Sequence, residues 1–108
     1  MSYDAFAITG TPPMTTMAVV PLGQAAPGFR GVIQAVDATG IDGVLPAEEL
    51  ERRLLEMGLV EGAKVEIRHQ GLIRRDPIAV RINGYATFAL RRREAGAIFV
   101  TASVDPAA

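Results

Sequence analysis

At 108 residues the chain fits one domain, and a hydrophobic content of 49% is that of a folded protein rather than a disordered one. A formal net charge of −1 argues against a nucleic-acid binder overall. The absence of cysteine excludes disulfides and thiolate metal sites, and a single histidine, His69, excludes a His-rich metal centre. Trp is absent and aromatics are few, so the core must be mostly Val, Ile, Leu and Ala. No stretch approaches the ~18 apolar residues of a membrane span. Met1 to Thr16 lacks the basic and apolar regions of a secretory signal. The expectation is a soluble, cytoplasmic protein.

Residues 1–17 contain Gly10, Pro12 and Pro13 and read as a flexible N-terminal extension. Val19 to Leu22 is a short apolar patch, and Pro27-Gly28 signals a turn. Phe29 to Val36 is the first expected strand. Its alternation does not separate polar from apolar residues, which predicts cover on both faces. Asp37 to Leu45, with Gly40 and Gly43, reads as a loop. Pro46 to Met57 is the one helix. Proline suits its first turn, and Glu48, Glu49 and Glu51 favour the positive end of its dipole. Leu50, Leu54 and Met57 share a face, with Leu55 and Leu59 beside it. Glu48–Arg52 and Glu49–Arg53 are spaced as i,i+4 ion pairs. Gly58 sits where a left-handed residue ends a helix, and Glu61-Gly62 turns the chain into the next strand.

Ala63 to Gln70 alternates cleanly, with Val65, Ile67 and His69 expected inward. His69 there is read as a satisfied core residue. Gly71 to Arg75 is expected as a loop, and Asp76-Pro77 opens the third strand, with Ile78, Val80 and Ile82 on one face. Asn83-Gly84 signals a hairpin. A two-residue turn sends Phe88 and Leu90 to the wrong face, so a three-residue loop is preferred, with Ile78 opposite Phe88 and Val80 opposite Ala86. Tyr85 then lies outside or at the rim. Arg91 to Gly96 reads as a single 3₁₀ or helical turn. Ala97 to Val104 is the last strand, with Ile98, Val100 and Ala102 inward, and residues 105–108 are expected to fray. The sum is mainly β: about five short strands in a small barrel, with one α-helix between the first and second strands closing an open end.

The segment Arg53-Leu54-Leu55-Glu56-Met57-Gly58-Leu59-Val60-Glu61-Gly62 resembles the "R-L-x-x-[LM]-G-[LIF]-x-x-G" pattern of the ferrous iron transport protein A (FeoA) family. Gly28-Phe29-Arg30-Gly31-Val32-Ile33 resembles that family's opening strand, and Asp76-Pro77-Ile78-Ala79-Val80 its "D-P-[IV]-x-[VI]" strand. Asn83-Gly84-Tyr85 with Phe88-Ala89-Leu90-Arg91 resembles "x-G-Y-x-[IL]-A-L-R", and Glu94-Ala95 with Ile98-Phe99-Val100 its close. The likeness runs from Val19 to Val104. It implies an SH3-like five-stranded barrel spanning residues 18–104. It also implies a small accessory protein that regulates a GTPase-containing ferrous-iron permease by direct contact, reaching the membrane only through that permease. Gly71-Leu72-Ile73-Arg74-Arg75 departs from the family's commoner "A-P-x-G", so that loop's contacts are not carried over.

Charge is unevenly distributed. Pro46 to Glu66 holds six acids against three bases, and Ile67 to Arg93 seven Arg against Asp76. Such a layout can steer docking, though outward arginines also simply solvate strands. Arg53, Val60, Arg74, Arg75, Arg91, Arg92 and Arg93 are the candidate partner-binding residues. Arg91-Arg92-Arg93 also admits an arginine finger in a partner's GTPase site; rim charge is the simpler account. Glu48, Glu49, Glu51 and Glu56 offer hard oxygen ligands, but neighbouring carboxylates on a helix are ordinarily solvated, so no metal and no cofactor are assigned. No nucleophile–base pair emerges, so no catalytic residue is assigned. The partner expected is the permease GTPase domain, with no nucleic acid; a homo-oligomer is compatible with the sequence. The competing reading is a regulatory or nucleic-acid-binding barrel unrelated to iron. Its arginines have few aromatics beside them for base stacking.

Overall fold

A computed structural model describes residues 18–43 and 45–103. The extension expected over residues 1–17 and the frayed end at 105–108 lie outside the described residues. The chain folds in the order β1 (Val20–Pro21), a 3₁₀ turn (Leu22–Gln24), β2 (Arg30–Val36), α1 (Ala47–Glu56), β3 (Lys64–Ile73), β4 (Asp76–Ile82), β5 (Ala86–Leu90), α2 (Arg92–Ala95) and β6 (Ile98–Ala102). The strands form one antiparallel sheet in the order β1-β6-β2-β3-β4-β5. The 3₁₀ turn after β1 packs on α2 after β5, so the two ends of the sheet are brought together around a single core. Among the described residues no helix is long and apolar enough to cross a membrane.

Among the described residues six strands form rather than five. The apolar patch at Val20–Pro21 pairs with β6, Val20 opposite Val100 and Pro21 opposite Phe99. A two-residue strand carries no periodicity to detect. Among the described residues the buried side chains of the core are Leu, Ile, Val and Ala, drawn from every long strand and from α1, while Phe29 and Phe88 pack at the margin.

The pairing shifts register three times among the described residues, once in β2 and twice between β3 and β4 (the last between Gln70 and Ile73), and two of the shifts reverse expected side-chain faces. In β2, Ile33 lies opposite Val100 but Ala35 opposite Phe99, so Gln34 is the extra residue. Gly31 and Ile33 are buried while Gln34 and Ala35 are exposed, so the strand is covered on one face and not on both. In β3, Ile67 lies opposite Val80 but His69 opposite Ala79, which makes Arg68 the extra residue. His69 is therefore exposed, not inward. An inserted residue shifts the period of two by one, and sequence alternation alone cannot locate it. At the end of β6 Ala102 is exposed as well, because it lies opposite Gly31 beyond the last buried pair.

Helix α1 is capped by Pro46 and Met57, one residue inside the expected bounds at each end. Beyond it the Gly58 N–H donates to the Leu55 carbonyl (2.9 Å) and the Leu59 N–H to the Leu54 carbonyl (3.0 Å). This is the paired closure that needs a left-handed residue, and Gly58 supplies it at φ 92°. Leu50, Leu54 and Leu59 are buried, each contributing ~1.5–3 kcal/mol by leaving water. Leu55 falls outside that stripe and is 58% exposed. The ion pair that forms on the helix is Glu49–Arg52 at 3.7 Å, an i,i+3 contact in place of the i,i+4 pairs expected. Glu51 instead accepts from the Ala38 N–H at 2.8 Å and ties the preceding loop to the helix.

Candidate functional site

Strand β3 does not end at Gln70. It runs on to Ile73, and a two-residue turn at Arg74-Arg75 leads directly into β4. Both arginines have positive φ, 57° and 59°. That is the backbone of a tight hairpin turn usually built from Asn and Gly. The segment contains no such signal at its tip, which is why it reads as a loop. The next hairpin has the three-residue loop expected, Asn83-Gly84-Tyr85. Its pairing is Val80 opposite Phe88 and Ile78 opposite Leu90, two positions along from the pairs anticipated but on the same face.

The seven candidate residues fall into two places. Arg53 and Val60 flank the end of α1. There Gln34, Val36, Leu55, Leu59 and Val60 line a shallow open groove edged by Glu51 and Glu61. Leu55 and Val60 are exposed and Arg53 stands on the last turn of α1. Sequence reading assigned Leu55 to the helix's buried side; its position one step off the Leu50–Leu54 stripe was the available signal. Arg74, Arg75, Arg91, Arg92 and Arg93 gather at the far end of β3. Ten residues of strand separate the two places, about 30 Å at ~3.3 Å per residue.

Arg92 explains how the second group is held. Its Nε donates to the Arg75 carbonyl (2.8 Å), its Nη1 to the carbonyls of Gly23 (2.9 Å) and Ala25 (2.7 Å), and its Nη2 to Gln70 Oε1 (2.8 Å). Its backbone N–H donates to Asp76 Oδ1 at 2.8 Å. One guanidinium thus joins the 3₁₀ turn, the end of β3 and the following turn to α2. Gly23 permits this approach, because a Cβ there would collide with the Arg92 carbonyl oxygen. The Arg91 N–H is taken by Glu94 Oε1 at 3.0 Å, while the side chains of Arg74, Arg75, Arg91 and Arg93 are exposed. Beside them Leu72 is fully exposed and Ile73 is 79% exposed. Neither stood out in the sequence, since a strand carries one residue on each face and only its overrun past the core bares both.

A third surface bears on the nucleic-acid reading. On the outer face of the sheet a cleft of about 300 Å³ is lined by Arg30, Lys64, Glu66, Arg81 and Asn83. Glu66 lies at its centre, 3.5 Å from Arg30 and 3.2 Å from Arg68, and pairs across the sheet with Arg81. A carboxylate amid the bases repels a phosphate backbone, and no aromatic lines the cleft to stack a base. Among the described residues no three His, Asp or Glu side chains converge to hold a metal. The Asp37 carboxyl is held below its ordinary pKa by hydrogen bonds from the Thr39 N–H (2.9 Å) and the Thr39 side chain, which makes it a local loop brace.

Residues 20–102 match the FeoA domain family. An iron uptake regulatory protein (FeoA) of known crystal structure is 26% identical, with a TM-score of 0.63 over 80% of this chain and 100% of that one. The FeoA protein of Chlorobium tepidum is 31% identical, with a TM-score of 0.60 over 77% of this chain and 70% of that one. The FeoA of Stenotrophomonas maltophilia, an SH3-domain protein solved with zinc, is 28% identical, with a TM-score of 0.58 over 73% of this chain and 86% of that one. No functionally curated protein matches the chain. The fold, the helix-to-strand corner and the span of the match agree, and the chain belongs to the FeoA family of small SH3-like accessory domains associated with ferrous-iron transport.

Proposed function

We propose that this domain regulates ferrous-iron uptake from the cytoplasmic side by binding the GTPase domain of a membrane iron permease, and that the groove at the end of α1 is the contact. The observation that carries the reading is Leu55. An aliphatic side chain 58% exposed on an otherwise well-packed helix, beside exposed Val60 and over a groove floored by Leu59, is the layout of a small interaction patch. Glu51 and Glu61 at its edges supply charge that can fix orientation. Family membership supports the link to iron transport.

The arginine-finger idea narrows. The Arg92 guanidinium is committed to four internal acceptors, so only Arg91 and Arg93 can reach a partner. The test is association with the permease GTPase domain in dilute salt. Leu55→Ser combined with Val60→Asp is expected to weaken it by at least about tenfold with the fold unchanged, since both residues are exposed. If the wild-type chain shows no association, and its loss leaves ferrous-iron uptake intact, the reading fails. Unchanged GTP turnover with Arg91→Ala and Arg93→Ala removes the finger.

A further inference from the structure

The side chains at the tip of the β3–β4 hairpin are exposed and take no part in the core. Leu72 and Ile73 are bare, Arg74 and Arg75 follow at once, and the turn holds both arginines at positive φ. Left-handed backbone is unfavourable for side chains of this size, and such conformations tend to persist at functional positions. Immediately behind the tip, Arg92 fixes α2 to the Arg75 carbonyl, so exposed Arg91 and Arg93 stand on the element anchored there, with the Arg93 side chain against the loop at Gly43. Over the tip and α2 there are five arginines against two acids, Asp76 and Glu94, and each acid accepts a backbone N–H.

We propose that this tip inserts into the interface of an anionic phospholipid bilayer, with Leu72 and Ile73 in the acyl boundary and the arginines among the headgroup phosphates. The shape favours lipid over a protein socket. The tip is a two-residue turn at the end of a paired hairpin, and both of its aliphatic side chains are open to water. A deformable bilayer can surround such a finger, whereas a protein must be hollowed to fit it. The combination of a short apolar insertion with a basic collar is what stable peripheral binding requires, since neither signal suffices alone. The placement is also polar in the right sense: the groove at the end of α1, edged by Glu51 and Glu61, lies toward the other end of β3. The domain would then meet the membrane directly, not only through the permease. This surface is separate from the groove proposed above, so either assignment can fail without the other.

The experiment is co-sedimentation of the full chain with phosphatidylcholine vesicles and with vesicles containing phosphatidylglycerol, with no permease present. Binding is expected only to the anionic vesicles and is expected to weaken with salt. Leu72→Ser with Ile73→Ser should lower the partition coefficient by at least about tenfold at unchanged circular dichroism, because neither side chain is packed. Arg74→Ala with Arg75→Ala should lower it by a similar factor at low salt only. Absence of binding to anionic vesicles overturns the proposal, as does binding that the Leu72/Ile73 variant leaves intact. If vesicles do not bind but that variant loses association with the detergent-solubilised permease, the tip belongs to a protein contact instead.

Discussion

Strand β4 is shared by two hairpins that solve the same problem in different ways. At the β4–β5 turn, Asn83 takes φ 52° and Gly84 φ 78°, conformations those residues adopt readily. The Asn83 Oδ1 also accepts from the Lys64 N–H at 3.0 Å, so the turn is braced to β3. At the β3–β4 turn the same sign of φ is imposed on two arginines, and neither turn side chain braces it; the Arg75 carbonyl is instead held by the distant Arg92. Its anchorage lies behind it, in the Arg92 network. The first hairpin is stabilised where it turns, and the second where it joins the body. Local chemistry therefore specifies one turn, and tertiary contact holds the other in a shape its own residues disfavour. The difference frees the β3–β4 tip to carry residues chosen for something other than folding.

The comparison breaks most visibly at Arg92. Arg92→Ala strands four acceptors and detaches the hairpin base, and is expected to cost about 2–4 kcal/mol in urea unfolding. Arg92→Lys should recover little, because one ammonium cannot reach acceptors spread across a planar fork. Equal stability of wild type and Arg92→Ala would show that the hairpin does not depend on this network. Asn83→Ala removes both the left-handed tolerance and the Lys64 brace. A loss of about 1–2 kcal/mol is expected by the same measurement. Transplanting one turn's chemistry onto the other is the sharpest comparison. Arg74→Asn with Arg75→Gly should raise stability by about 1 kcal/mol while weakening binding to anionic vesicles. A midpoint that does not rise would mean that the arginine turn carries no strain, and the contrast between the hairpins would dissolve.

Much of the fold was legible. Pro46, the leucine spacing and Gly58 locate the helix because each acts through local geometry: a fixed φ, a 3.6-residue period, a left-handed stop. The strands from Asp76 to Leu90 were legible for the same reason, since Ile78, Val80 and Ile82 alternate and Asn83-Gly84 marks the turn. The failures share a cause. His69 was placed inward because one residue, Arg68, is inserted where nothing in the sequence marks it. Gly71 to Arg75 reads as a loop because its turn uses residues that do not advertise one. Of the candidate site, the arginines were visible as a charge bias, whereas Leu55, Leu72 and Ile73 were not, because exposure of an aliphatic residue depends on where the neighbouring elements stop.

By itself the sequence determined the family, the single helix and its stop, the strand-rich body and a core made of aliphatic side chains. These follow from short-range rules that act within a few residues. Only the tertiary structure decided the sixth strand, the register shifts, the reach of β3 beyond the core and the division of the arginines. Arg92 and Arg93 are adjacent and chemically identical, yet one is a clamp and the other faces water. That distinction arises because the carbonyls of Gly23 and Ala25 come to Arg92 from sixty-nine and sixty-seven residues away, a meeting that no local pattern encodes.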